Sequence, residues 1–236
     1  MKILAVDTTA VSASVAVTQD GKVLSCAFTN TGLTHSQTLM PMIDRVLSGA
    51  GISAAEIDLF AVNNGPGSFT GVRIGVAAVK GMAHTTEKNC VGISTLESLA
   101  YNLSDSDCTA VCAMDARCGQ VYAAVFRCEN GTVTRLCEDK ALLISELEEH
   151  IGETVLPVIF VGDGAMLCYE YYKDKLTCRA ASEKNRYQNA KSTALCAYLK
   201  DADEYVSAKE LMPSYLRLPQ AQRELRKKLQ EKENVK

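Results

Sequence analysis

The sequence predicts a duplicated α/β fold of two lobes. Short apolar strands alternate with amphipathic helices, Asp-Gly and Asn-Gly turns mark two hairpins, and the element order of the first half recurs in the second. Asp7 matches Asp115, Val15-Ala16-Val17 matches Ala123-Ala124-Val125, "DGKVL" matches "NGTVT", and "LFAVNNGPG" matches "VIFVGDGA". The expected boundaries are an N-terminal lobe over 1–104, a C-terminal lobe over 105–212, and a tail, 213–236, that packs back on the first lobe.

Each element has its own signal. "KILAVDT" reads as a buried strand, "SASVAVT" as a second, and "DGKVLSCAF" as a hairpin turn at Asp20-Gly21 followed by a third. In "THSQTLMPMIDRVLSGAG", Leu39, Met42, Ile43, Val46 and Leu47 recur at helical spacing and two glycines end the run. "IDLFAV" is a strand, 70–86 a helix, "NCVGIS" a strand and "TLESLAYNL" a short helix. The second half opens with a strand, turn and strand over 110–126. It continues with a turn at Asn130-Gly131, "TVTRL", a helix around "ISELEEHI", the strand in "PVIFVGDGA" and a helix from 165.

The chain has 236 residues, 47% hydrophobic and 22% charged, with a net charge of −3. That is the composition of a globular domain, and it provides no global basic field for nucleic acid. The ten cysteines stand singly, without a C-x-x-C pair, and several lie in apolar runs, so reduced, mostly buried thiols are expected. Only Ile3 to Val6 precede Asp7 as an apolar run, too short for a signal peptide, and no stretch approaches the ~18 apolar residues of a membrane span. A cytoplasmic chain is the expectation.

Two features carry candidate chemistry. Asp7 and Asp115 end matching strands, where a nucleotide would lie between the lobes; they serve equally well as caps of turns. The stretch "GPGSFTGVRIG" (65–75) has two readings as well. Gly67, Ser68, Phe69 and Thr70 open a helix whose backbone N–H groups suit a phosphate. Gly71, Gly75 and Ala78, four and three residues apart, share one helix face, and Met82 extends it. A face without side chains lets another helix approach, while Val72, Val76 and Val79 turn to the lobe's own core. The stretch lacks the Lys-Ser/Thr of a P-loop, and Arg73 stands in the wrong place to replace that lysine. Neither an H-E-x-x-H nor a G-x-S-x-G motif is present. The three histidines, His35, His84 and His150, fall in different elements, so no metal site is predicted.

"ILAVDTTAVSASVAV", "NNGPGSFTGVRIG", "MDARCGQVYAAVF", "VGDGA" and "MPSYLRLPQAQ" together resemble the TsaB (YeaZ) family over essentially the whole chain. That resemblance implies an actin/Hsp70/sugar-kinase-like (ASKHA) fold and a non-catalytic role in bacterial tRNA N6-threonylcarbamoyladenosine synthesis. The implied partners are the metal-bearing catalytic paralogue TsaD, the ATPase TsaE, tRNA through the complex, and a second copy when the chain is alone. No membrane partner is implied.

The resemblance also favours the interface reading of the glycines. The predicted contact comprises Leu39, Met42, Ile43 and Val46 of one helix with Gly71, Gly75, Ala78 and Met82 of the next, and Gly75→Arg is expected to abolish pairing while sparing the fold. No intrinsic cofactor is expected; ATP or ADP would lie near the partner boundary, beside Arg73 or Lys80. The alternative is a stand-alone ATP-binding phosphotransferase or ATPase using Asp7 and Asp115. Tyr215 and Arg217 are expected to lock the tail onto the N-terminal lobe. Beyond them, residues 223–236 carry an excess of three positive charges, suited to a solvated helix or to a tRNA backbone.

Overall fold

Two sheets with one strand order form the framework of the computed structural model, which describes residues 1–217. The first is built from β1 (Lys2–Asp7), β2 (Ala13–Gln19), β3 (Lys22–Thr29), β4 (Leu59–Gly65) and β5 (Asn89–Ser94), in the order β3-β2-β1-β4-β5. The second repeats it with β6 (Cys108–Arg117), β7 (Gln120–Glu129), β8 (Thr132–Arg135), β10 (Val158–Val161) and β11 (Cys178–Ala180), in the order β8-β7-β6-β10-β11. A further strand, β9 (Lys140–Leu143), pairs with β7. In both sheets the first strand runs antiparallel to the second and parallel to the fourth. This twice-used order is the actin/Hsp70/sugar-kinase-like arrangement.

The hairpin turns follow from their residues. Asp20-Gly21 and Asn130-Gly131 all take positive φ, between 50° and 78°, the primed turn that matches the twist of the flanking strands. β1 and β4 are covered on both faces, which explains their near-continuous apolar runs.

On one face of the first sheet lie α1 (His35–Ala50) and α2 (Phe69–Thr86), sealing a core of Leu4, Val6, Val15, Phe60 and Val62. Behind the second sheet are α4 (Leu147–Ile151) and α5 (Ala165–Tyr172), around Val111, Val125 and Phe160. The remaining faces are covered crosswise. α3 (Thr95–Ala100) follows the last strand of the first sheet yet packs on the second, where Leu96, Leu99 and Ala100 meet Cys112 and Phe126. α7 (Ala190–Leu199) follows the short helix α6 (Glu183–Arg186) and returns to the first sheet, where Ala190, Ala194 and Ala197 meet Ile3, Ala5 and Ala61. The expected boundary at residue 212 is therefore corrected: the chain rejoins the first lobe at α7, because its small side chains fit closely against that sheet. Eight cysteines of the ten are buried or half-buried, and none forms a disulfide with another.

Tyr172 shows how tightly the second lobe is specified. Its ring stacks on Phe160, and its hydroxyl donates to Ile144 O at 2.7 Å while accepting from Glu148 N–H at 3.1 Å. Tyr172→Phe leaves a part-buried carbonyl and N–H without their partner. The expected loss is about 2 kcal/mol, read from urea denaturation.

Candidate interlobe site

The β1 end, the glycine-rich turn and the β6–β7 hairpin converge on a cavity of about 460 Å³ between the lobes. Its walls include Thr9, His35, Gly67, Ser68, Thr70, Gly71, Asp115, Arg117, Tyr122 and Asp163. Of the predicted nucleotide-side residues, Gly67, Ser68, Thr70 and Asp115 reach this space; Asp7 and Arg73 do not.

Asp7 is 1% exposed. Its Oδ1 accepts from Thr9 N–H at 2.9 Å and from the Thr9 hydroxyl at 3.0 Å, and its Oδ2 accepts from Asn63 Nδ2. Burial pushes its carboxyl above the usual range, against the lowering effect of those hydrogen bonds. Asp7 thus fixes the turn that carries Thr9 into the cavity wall and is itself closed off.

Arg73 leaves the cleft for a structural reason too. Its guanidinium lies 4.1 Å from the Phe69 ring centroid, and its Nε–H donates to the Tyr215 hydroxyl at 2.9 Å. Lys80 donates to the carbonyls of Lys209 and Leu211 at 3.2 and 2.9 Å. Tyr215 locks the chain onto the first lobe as expected, stacked 4.3 Å from Phe69. Arg217 instead faces the second lobe, with Nη1 3.5 Å from Ala116 O. The basic residues from Arg223 to Lys236 lie outside the described residues.

The glycine-rich stretch is also corrected. Gly71 and Gly75 are buried against the end of β1, not presented outward. A methyl at Gly71 would collide with the Thr8 carbonyl, and one at Gly75 would sit 2.5 Å from the Thr8 hydroxyl. That hydroxyl donates to Gly71 O at 2.7 Å. Gly75→Arg would therefore break the fold itself. Leu39, Met42, Ile43 and Val46 are committed to the first core, and Ala78 and Met82 are half-buried against it. The apolar surface α1 presents outward is Met40, 52% exposed, beside Pro41.

The cavity's electrostatics disfavour a bare polyphosphate. Ser68 N–H, one of the donors of the phosphate reading, is engaged by Thr9 O at 2.7 Å, and the Ser68 hydroxyl accepts from Gly71 N–H at 3.3 Å. Across the gap, Asp115 accepts from Arg117 N–H at 2.7 Å and pairs with its guanidinium at 3.2 Å. Asp163 is pushed up chiefly by burial, with the Asp115 and Asp7 charges adding to the shift and a hydrogen bond from Gln188 opposing it. Two carboxylates and a paired arginine make this wall acidic. His35 Nε2 lies 2.7 Å from Ala10 O, holding the α1 entry against the loop after β1.

Sequence reasoning did not single out Asp163, Thr9 or Arg117. The available signal was the repeat itself, which aligns "VGDGA" with the glycine-rich turn and so places Asp163 at the cleft. Among the described residues, no group of three or more His, Cys, Asp or Glu is placed to hold a metal ion, and no helix is long and apolar enough to cross a membrane.

Comparison with known proteins agrees with this architecture. The family model described as "TsaD: tRNA N6-adenosine threonylcarbamoyltransferase" matches residues 29–235. The TsaB tRNA threonylcarbamoyladenosine biosynthesis protein of Bacillus subtilis is 30% identical over 222 residues, covering 94% of this chain and 96% of that one. The corresponding Escherichia coli protein is 36% identical over 149 residues, or 62% of this chain and 64% of that one. Among solved structures, YeaZ from Pseudomonas aeruginosa superposes with a TM-score of 0.79 at 24% identity, covering 91% of this chain and 99% of that chain. With near full-length similarity to one TsaB protein, and with a YeaZ structure sharing its fold, the chain belongs to the TsaB (YeaZ) family.

Proposed function

We propose that this chain acts in tRNA N6-threonylcarbamoyladenosine biosynthesis as a non-catalytic subunit that pairs with a TsaD-type transferase. The near end-to-end similarity to TsaB of Bacillus subtilis carries the reading. The enclosure of Asp7 supports it, because a carboxylate engaged by Thr9 and Asn63 is poorly placed to serve a reacting phosphate. In this reading the chain works in the cytoplasm, orders the transferase, and helps present it to a TsaE-type ATPase and to tRNA. It self-associates when the transferase is absent.

The docking surface is the outward side of α1 and α2, around Met40, Pro41 and Met82. Mixing this chain with a TsaD-type transferase should give a heterodimer in size-exclusion chromatography. Met40→Glu should weaken it at least tenfold without changing the melting temperature. Failure of the wild-type chain to pair would overturn the functional reading; unchanged pairing by the variant would overturn the surface.

The cavity between the lobes favours a second reading, a stand-alone ATPase or phosphotransferase in which Asp115 and Asp163 hold a magnesium nucleotide. Basal ATP turnover that disappears in Asp163→Asn would support it.

A further inference from the structure

We infer that the two lobes are fastened to each other by two separate sets of contacts, so that this chain holds one interlobe angle. Two-lobed folds of this kind close around ligands by rotation at a few hinge residues. Here one set of contacts at the cavity rim, the front tie, and another away from the cavity lining, the rear tie, join the lobes.

The front tie is the strap after α7. Val206 and Cys90 exchange backbone hydrogen bonds of 2.8 and 2.9 Å, attaching the strap to β5. Asn64 Nδ2–H then donates to Met212 O at 3.1 Å, and Ser214 N–H donates to Asn64 O at 2.7 Å. With the Tyr215–Phe69–Arg73 stack, these contacts bind the strap to the first lobe. Arg217 then crosses to the second lobe, where its guanidinium lies 5.7 Å from the Tyr122 ring centroid and faces Ala116 O. Ala116 and Tyr122 are cavity walls, so opening the cleft must break this contact.

The rear tie is an ionic cluster. Ser94, at the end of β5, donates to Asp139 Oδ2 at 2.6 Å, and Asp139 holds Arg135 at 2.6 Å. Glu97 of α3 pairs with Arg135 at 3.8 Å and with Lys200 at 3.4 Å. Ser94 and Lys200 move with the first sheet; Glu97, Arg135 and Asp139 move with the second. These four charged side chains are at most 27% exposed, so solvent screens them less than a surface pair. The Ser98 and Thr193 hydroxyls also meet at 3.1 Å and Ser192 donates to Asn102 at 2.6 Å, joining α3 and the turn after it to α7.

Amide hydrogen exchange on the full chain tests this directly. Arg217→Ala with Asp139→Ala should make the cleft amides of Thr9–Val11 and Asp115–Arg117 exchange about tenfold faster than in the wild-type chain. The centres of β1 and β6 should stay protected, and each single variant should fall short of half the combined effect on a logarithmic scale. Cleft exchange equal to wild type in the combined variant would overturn the inference. Should the combined variant lose sheet protection as well, Arg217→Gln decides, since it leaves the rear cluster and the core untouched. A roughly two- to threefold acceleration confined to the cleft supports the front tie, and no acceleration refutes it.

Discussion

Replacing Gly71 by alanine is expected to lower stability by about 3 kcal/mol, because the added methyl meets the Thr8 carbonyl at the end of β1. Relieving that collision pushes α2 away from the sheet. It also stretches the Thr8 hydroxyl bond to Gly71 O and the Ser68 bond to Thr9 O. For a chain of this size the melting temperature should fall by roughly 6–12 °C. Gly81→Ala is the control, since Gly81 lies on the same helix with open space around it and should gain up to ~1 kcal/mol from helix propensity. A Gly71→Ala protein of unchanged stability that no longer pairs with its partner would restore the reading of these glycines as an external interface.

The second large effect is at Asp7. Asp7→Ala removes the acceptor of two Thr9 donors and of Asn63, leaving buried groups unpaired at a cost of about 3 kcal/mol. Asp7→Asn is expected to differ sharply. Asn63 Oδ1 has no partner among the described residues, so a turn of that amide lets it accept from the new side chain. The pH dependence has a definite sign. The folded-state pKa of Asp7 is raised above the ordinary aspartate value of 3.8, so its contribution to stability is fully present below that pH. It declines as pH rises through the folded-state value. Wild type should therefore lose stability relative to Asp7→Asn as the pH is raised from about 4 toward neutrality. Chemical denaturation of both proteins across that range measures it, and parallel curves would contradict the buried-carboxylate account.

Most of the fold was legible because most elements advertise a period. The β1–β3 meander, α1, α2 and the repeat all follow from alternation, helical spacing and the two X-Gly turns. α7 was not legible. Its buried residues, Ala190, Thr193, Ala194, Cys196 and Ala197, are small, and no strong apolar stripe marks a face. Nor could local sequence reveal that α3 and α7 exchange lobes, since that depends on where each chain segment finds an uncovered sheet.

The site was half legible, for a related reason. Matching Asp7 with Asp115 located the cleft, but not that Asp7 would be roofed by its own Thr9 while Asp115 and Asp163 face the space. The spacing of Gly71, Gly75 and Ala78 identified a close approach. It could not say whether the approaching backbone belongs to another helix or, as found, to Thr8 of the same lobe. The apolar period of α1 was likewise sufficient to find a buried face but silent on what buries it.

The central claim, a subunit needed by a catalytic partner, is most directly tested by threonylcarbamoyl transfer to tRNA in a reconstituted mixture. That mixture holds a TsaD-type transferase, a TsaE-type ATPase and threonylcarbamoyl-adenylate, with or without this chain, and the chain is also assayed alone. The account predicts modification that depends on the chain, none from the chain by itself, and full activity with Asp7→Asn. Modification unaffected by omitting the chain, or produced by the chain alone, would contradict it.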